Sequence, residues 1–298
     1  MWSSTYTRGV IMILASGLFL STSGIGFRII EQASGWQILF YRSFFMIGLL
    51  IGVLAVKSKG RLLTQFRGLR GEDFLLALFL GTGIVAYVFA LLLTTVANAL
   101  FILSSVPFIT ALLGWLILRE AVPSRTWITI AMAMIGLAIM VGNGLASGRY
   151  LGNLIALWLP ISYAASVILV RRSSQPNMLV ALCLAGVVSL VCAAPFIGDL
   201  VISRHDLLVS AYLGIFQVGL GFTFMVLGAR YVPAAQVGLL ALVEPVLAPL
   251  WAWMVAAEIP AHTTLIGGAI IFLAISLDGA ITMWRSRIQS KSSGNSAP

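Results

Sequence analysis

A glutamate stands beside a proline in the middle of an apolar run: Glu244 and Pro245 lie inside LLALVEPVLAPLWAWMVAAEIP, residues 239 to 260. A carboxylate placed there is costly in an apolar medium unless it is paired, hydrated or protonated. Two roles suit it. It can exchange a proton or oppose a positively charged group of a ligand, or it can satisfy backbone carbonyls freed by Pro245 and Pro249. Arg42 is a second charge inside an apolar run. Its long side chain can snorkel to the polar boundary, or it can contact a carboxylate, of a ligand or of a glutamate in a cavity. Asp278, near the end of the last run, reads most simply as a local partner of Arg285. Ser21, Ser23, Tyr87, Asn98, Ser104, Ser105, Trp158, Tyr163, Gln217, Gln236 and Trp251 are scattered through the same runs. Hydroxyls, amides and ring faces of this kind can line a cavity and hold both the polar and the apolar parts of a small molecule. Trp and Tyr also populate interfacial belts, and Ser often bonds its own helix, so each residue alone is weak evidence.

Other chemistries lack their residues. The sequence has no GxxxxGK[ST] phosphate loop for nucleotide coupling and no HExxH. Its two histidines, His205 and His262, are distant in sequence from Cys183 and Cys192, which share one apolar run without a CxxC spacing. The expectation is no enzyme, no metal and no cofactor.

The elements that position these residues follow from composition. Of 298 residues, 60% are hydrophobic and 9% charged, too little polar surface to cover a soluble protein of this size. Continuous runs such as FLLALFLGTGIVAYVFALLL lack the alternation of barrel strands, so an all-α membrane protein is expected. Gly, Pro and charge punctuation predicts ten transmembrane helices: 9–28, 36–56, 74–94, 98–118, 125–143, 151–170, 178–198, 207–228, 235–257 and 262–283. If the N-terminus is cytoplasmic, 14 of the 18 Lys and Arg fall on cytoplasmic connections and three, Arg28, Arg149 and Arg204, on the other side. That bias places both termini in the cytoplasm. The basic residues are spread singly between apolar runs, which argues for topology signals and against nucleic acid. The basic connection 57–71, KSKGRLLTQFRGLRG, reads as ordinary positive-inside anchoring.

Residues 81–138 laid over 219–276, a shift of 138, match at eleven positions. Among them are Gly81 with Gly219, Gly83 with Gly221, Pro107 with Pro245, Trp115 with Trp253 and Glu120 with Glu258. With five spans in each half, the second copy enters the membrane from the opposite side, an inverted repeat of two units, 1–148 and 149–284, followed by a polar tail, 285–298, expected to be disordered. Pro107 and Pro245 would break their helices at matching points. Gly81, Gly83, Gly219 and Gly221 would let helices approach closely or slide, and all six residues are hinge candidates.

The segment 239–260 and its counterpart FILSSVPFITALLGWLILREAVP, residues 101–123, resemble the paired signature of the EamA-type drug/metabolite transporter superfamily. The pair Glu244 and Pro245, and the helix-ending Glu120 and Glu258, carry the resemblance. Val106 departs from it where the second copy has Glu244, so a carboxylate role is not duplicated. The size and layout are most similar to bacterial inner-membrane amino-acid exporters. The resemblance implies a basket of ten helices around a central cavity, exporting amino acids or related small metabolites by alternating access. Efflux of lipophilic cations is the nearest rival, since an aromatic, Met-rich cavity would accept them, and a channel is the next. The partners implied are the lipid bilayer and a small-molecule substrate; a closed bundle of this kind can work as a monomer.

Overall fold

The computed structural model describes residues 2–59, 61, 65–94, 99, 102–141, 150–173, 178–256 and 262–294. In chain order the helices are α1 (Trp2–Ser21), α2 (Ser23–Arg28), α3 (Gly35–Lys57), α4 (Gly71–Leu93), α5 (Val106–Leu118), α6 (Ser124–Val141), α7 (Tyr150–Arg172), α8 (Met178–Ala193), α9 (Arg204–Tyr212), α10 (Gly221–Ala229), α11 (Ala234–Ala241), α12 (Val243–Ala256) and α13 (His262–Gly294). A π-helical stretch, Leu213–Leu220, joins α9 to α10 without a break. No strand occurs among the described residues.

Six helical units are long and apolar enough to cross a membrane: Thr5–Arg28, Gly35–Lys57, Gly71–Leu93, Tyr150–Arg172, Met178–Phe196 and Arg204–Ala229. Four shorter apolar helices, Val106–Leu118, Ser124–Ile139, Ala234–Ala248 and Leu265–Asp278, fall on the remaining expected spans. The exterior is itself apolar, with Ile11, Phe44, Leu78, Ile128, Leu154 and Phe272 all exposed. Only lipid makes such a surface favourable, and in lipid each backbone polar group needs a partner within the protein. The last helix, at 33 residues, is roughly 50 Å long at 1.5 Å per residue, so it continues well beyond a hydrocarbon layer and into the segment 285–294 that the sequence suggested was a disordered tail.

The bundle is interrupted at related points. α5 starts after a turn at Ser104 and Ser105, and α12 starts after a turn at Leu242, 138 residues beyond Ser104. Pro107 and Pro245 follow directly, and their missing N–H groups release the carbonyls of Leu103 and Ala241 from the helical ladder. α5 crosses α11 closely: a Cβ on Gly238 would lie 2.7 Å from Pro107 Cα and nearer still to Thr110 Oγ1. The glycines picked out by the repeat also sit at close approaches. Gly81 faces the Ala185 carbonyl and Val188, Gly83 faces Ser162, Gly219 faces Leu49 and Gly221 faces Leu20. Elsewhere α4 packs on α7 and α8, α8 on α3, α1 on α10, and α6 on α13.

One end of the bundle carries most of the basic residues, and two polar networks join its helices. Arg119 adopts a left-handed φ of 54°, which ends α5 and turns Glu120 back so that its N–H bonds the Gly114 carbonyl at 3.1 Å. The Glu120 carboxylate accepts two N–H groups of Arg171, one at 2.7 Å, and the Ala234 N–H at 3.0 Å. Arg171 in turn donates to the carbonyls of Ala229 and Val232, closing α5, α7 and the α10–α11 connection into one knot. The second network centres on Asp278; the side chain of its expected partner, Arg285, lies outside the described residues. Asp278 is buried, accepting from Thr126 Oγ1 at 3.1 Å and Gln236 Nε2 at 3.0 Å, while Tyr6 donates to Gln236 Oε1 at 3.0 Å. Helices α1, α6, α11 and α13 are thereby joined.

At the opposite end one carboxylate organises the chain. Asp206, fully buried, accepts the N–H groups of Glu31, Gln32 and Ala33 at 2.9, 3.0 and 2.9 Å, and so fixes the α2–α3 connection to the start of α9. Asp206→Ala would remove the acceptor shared by three backbone N–H groups of a partly exposed connection, and its expected cost is about 1 kcal/mol or more. Thermal unfolding of the purified protein in detergent checks this; an unchanged midpoint removes Asp206 from the structural account.

Candidate functional site

The interrupted helices converge on an internal cavity. Its walls come from both halves of the chain: Arg42 from α3, Tyr87 from α4, Tyr163 from α7, Gln217 from the π-helical stretch and Glu244 from α12. Apolar side chains such as Leu20, Leu80, Leu159 and Phe222 fill the rest of the lining. A smaller annex lies where the breaks meet, bounded by Ser104, Tyr163, Leu242, Glu244 and Pro245.

Glu244 sits in the first turn of α12. It is 7% exposed, and its Oε1 accepts the Tyr87 hydroxyl at 3.2 Å. Tyr87 is also 2.7 Å from Ser23 Oγ, so a hydroxyl relay runs from α2 to the carboxylate. Ser21, buried two residues earlier in the chain, bonds its own helix through the Leu18 carbonyl and accepts Trp251 Nε1 at 2.8 Å, tying α1 to α12 beside the relay.

Arg42 is 1% exposed, which overturns snorkelling as its explanation. Two contacts fix the backbone of α3 at this point: Gly214 lies against the Arg42 carbonyl, and Oγ of the next residue, Ser43, is 2.8 Å from Ser189 Oγ on α8. The guanidinium lies 5.8 Å from the centre of the Phe27 ring and donates from Nη2 to the Ile84 carbonyl at 3.3 Å. Phe27 in turn neighbours Tyr87, with ring centres 6.5 Å apart. A positive and a negative group therefore line one cavity, and no ion pair joins Arg42 to Glu244 among the described residues.

The sequence candidates separate. Tyr87, Tyr163, Gln217 and Glu244 line the cavity, Ser104 the annex, and Ser21, Ser23 and Trp251 form the shell behind Tyr87 and Glu244. Gln236 belongs to the Asp278 network, where with Tyr6 it borders a second, smaller cavity. Ser105 bonds the Ile102 carbonyl of its own helix. Trp158 is on the outer surface, donating to Thr82 Oγ1 at 3.0 Å and stacking on Phe79. Asn98 lies outside the described residues. Of the hinge candidates, Gly83 lines the cavity and Pro245 its annex, while Gly81, Gly219 and Gly221 serve helix contacts and Pro107 forms the close crossing with Gly238. Gly238 and Phe27 were not legible as site residues, since an isolated Gly or Phe in an apolar run carries no signal of its neighbour.

A search of curated protein sequences returned no match. A solved structure described only as the crystal structure of a protein superposes with a TM-score of 0.77 over 91% of this chain and 96% of that one, at 20% identity, which shows a shared fold. The family model described as the EamA-like transporter family matches twice, over residues 7–142 and 150–277, one match for each half of the repeat read from the sequence. The chain therefore belongs to the EamA-like transporter family of the drug/metabolite transporter superfamily, and is a multi-pass membrane transporter.

Proposed function

We propose that this protein is a secondary transporter of a bacterial inner membrane that exports amino acids or related small metabolites. In this reading ten spans form two inverted five-helix repeats, both termini are cytoplasmic, and the basic end of the bundle faces the cytoplasm. The observation that carries the proposal is the pair of helix breaks, at Ser104–Ser105 and at Leu242, which meet at a cavity containing a buried carboxylate. Irregular backbone at membrane depth is tolerated where it lines a cavity, and paired breaks in an inverted repeat are the usual mark of a transport site. One chain supplies all the walls of the cavity, so a monomer suffices.

The conformation has its basic end closed by the Glu120–Arg171 knot, the Asp278 network and the Gly238–Pro107 crossing. Alternating access requires these contacts to part while others form at the opposite end, and the related breaks give each half a point at which to bend. Glu244 serves as a counter-charge for the substrate or as a proton carrier, with Tyr87 and Ser23 holding its orientation. Efflux of lipophilic cations is the second reading, favoured by the apolar walls and the rings of Tyr87, Tyr163 and Phe222 around Glu244.

Counterflow of labelled amino acids into proteoliposomes tests the export reading. Saturable exchange supports a carrier, whereas uptake of lipophilic cations without amino-acid exchange selects the second reading. Glu244→Gln is expected to slow exchange by about 10-fold, the factor that ~1.4 kcal/mol of lost interaction produces; wild-type rates across pH would remove Glu244 from the transport step. Asp278→Ala is expected to loosen the cytoplasmic gate. With Leu239→Cys in a background lacking Cys183 and Cys192, a membrane-impermeant maleimide added from the cytoplasmic side should then react faster than it does when Asp278 is intact. Equal rates would leave the Asp278 network a static feature.

A further inference from the structure

The cavity carries hydrogen-bonding capacity that the protein itself does not use. A guanidinium has five N–H donors. Arg42 donates from Nη2 to Ile84, yet among the described residues neither its Nε nor its Nη1 has a hydrogen-bond partner. On the wall formed by the π-helical stretch, Gln217 is 2% exposed and its Oε1 also has no partner among the described residues. Both residues line the same cavity as Glu244. Buried polar groups are seldom left so, because each unmet donor or acceptor costs about 1–3 kcal/mol and an unpaired charge costs more.

Local structure holds both residues in place. Packing of the π-helical stretch on α3 brings Gly214 against the Arg42 backbone, which sets the guanidinium facing inward over Phe27. The wider π turn departs from regular helical spacing, and such stretches recur at functional sites. Gln217 lies within it. The corresponding stretch of the first repeat, 138 residues earlier in α4, is regular α-helix, so this device belongs to the second half alone.

The charge pattern selects the ligand. A lipophilic cation would be opposed by Arg42 and would leave its N–H groups unmet. A simple anion would face the Glu244 carboxylate. A molecule with an acceptor anion at one end and a donor cation at the other meets both, and a carboxylate is the group best matched to a guanidinium. Resting on the export reading above, we propose that the cavity binds α-amino acids as zwitterions, with the substrate carboxylate on the free donors of Arg42 and the substrate ammonium on Gln217 Oε1 and the Glu244 carboxylate. The apolar walls at Leu80, Leu159 and Phe222 then receive the side chain, consistent with a preference for apolar or aromatic amino acids.

The test is competition in the counterflow assay, using the full-length protein. Against a labelled amino acid such as phenylalanine, unlabelled phenylalanine is compared with phenylalaninamide, which keeps the ammonium and loses the carboxylate, and with 3-phenylpropionate, which does the reverse. Wild type should favour phenylalanine over both analogues by ~10-fold or more, the discrimination expected when a charged hydrogen bond is lost. Arg42→Gln should abolish the discrimination against the amide while keeping that against 3-phenylpropionate, and Gln217→Leu should weaken the latter. If Arg42 only packs against Phe27, Arg42→Gln lowers stability but leaves the ratio of the two competitors unchanged, which overturns the assignment. Should the variant fail to fold, equal inhibition of wild type by phenylalanine and its amide overturns it without any mutant. In each of these outcomes amino-acid exchange by wild type persists and the export reading stands. Wild type that moves lipophilic cations and no amino acid overturns both.

Discussion

Proline at positions 107 and 245 withdraws a backbone donor where no water is at hand to replace it, and much of the architecture follows from that loss. In an apolar exterior of this kind, a carbonyl released from the helical ladder can face only a protein partner or a polar cavity. The chain breaks α5 and α12 from what precedes them at equivalent points of the two halves and brings both breaks to one cavity. Glu244 is tolerated because it sits at such a break, with the Tyr87 hydroxyl on its oxygen. The same residue one turn into an unbroken, lipid-facing helix would have no comparable partner.

The two ends of the bundle are held together by different means. At the basic end the fastenings are side chains meeting across helices: Glu120 with Arg171, and Asp278 with Thr126 and Gln236. At the opposite end Asp206 binds three consecutive backbone N–H groups, a structural joint that holds a connection to a helix start. Between the ends, Arg42 and Glu244 remain separate instead of neutralising each other, so the cavity keeps one pole of each sign.

Much of the fold was legible because lipid imposes rules that act on sequence directly. Run length and the match between residues 81–138 and 219–276 marked the helical stretches, six of them long and apolar enough to cross a membrane and four shorter, and the family model matches the chain twice, over 7–142 and 150–277. The helix breaks were legible too, since proline acts on its own backbone. Part of the site was also readable: Tyr87, Tyr163, Gln217 and Glu244 stand out as polar or ring groups in apolar runs, and they share a wall. Trp158 has the same signature and lies outside, because hydropathy does not say which side of a helix faces the neighbours and which faces lipid.

The sequence by itself determined the helical class, the places where helices start and break, and the doubling of the unit, since each depends on a residue and its near neighbours along the chain. Tertiary structure alone decided the partners of the charges. Arg42 could have reached a headgroup, but the packing of α3 against the π-helical stretch and α8 encloses it, and Asp278 meets Thr126 and Gln236 from helices distant in sequence. Electrostatic and hydrogen-bond energies depend on distance through space, and positions far apart in sequence become neighbours only when the helices have packed.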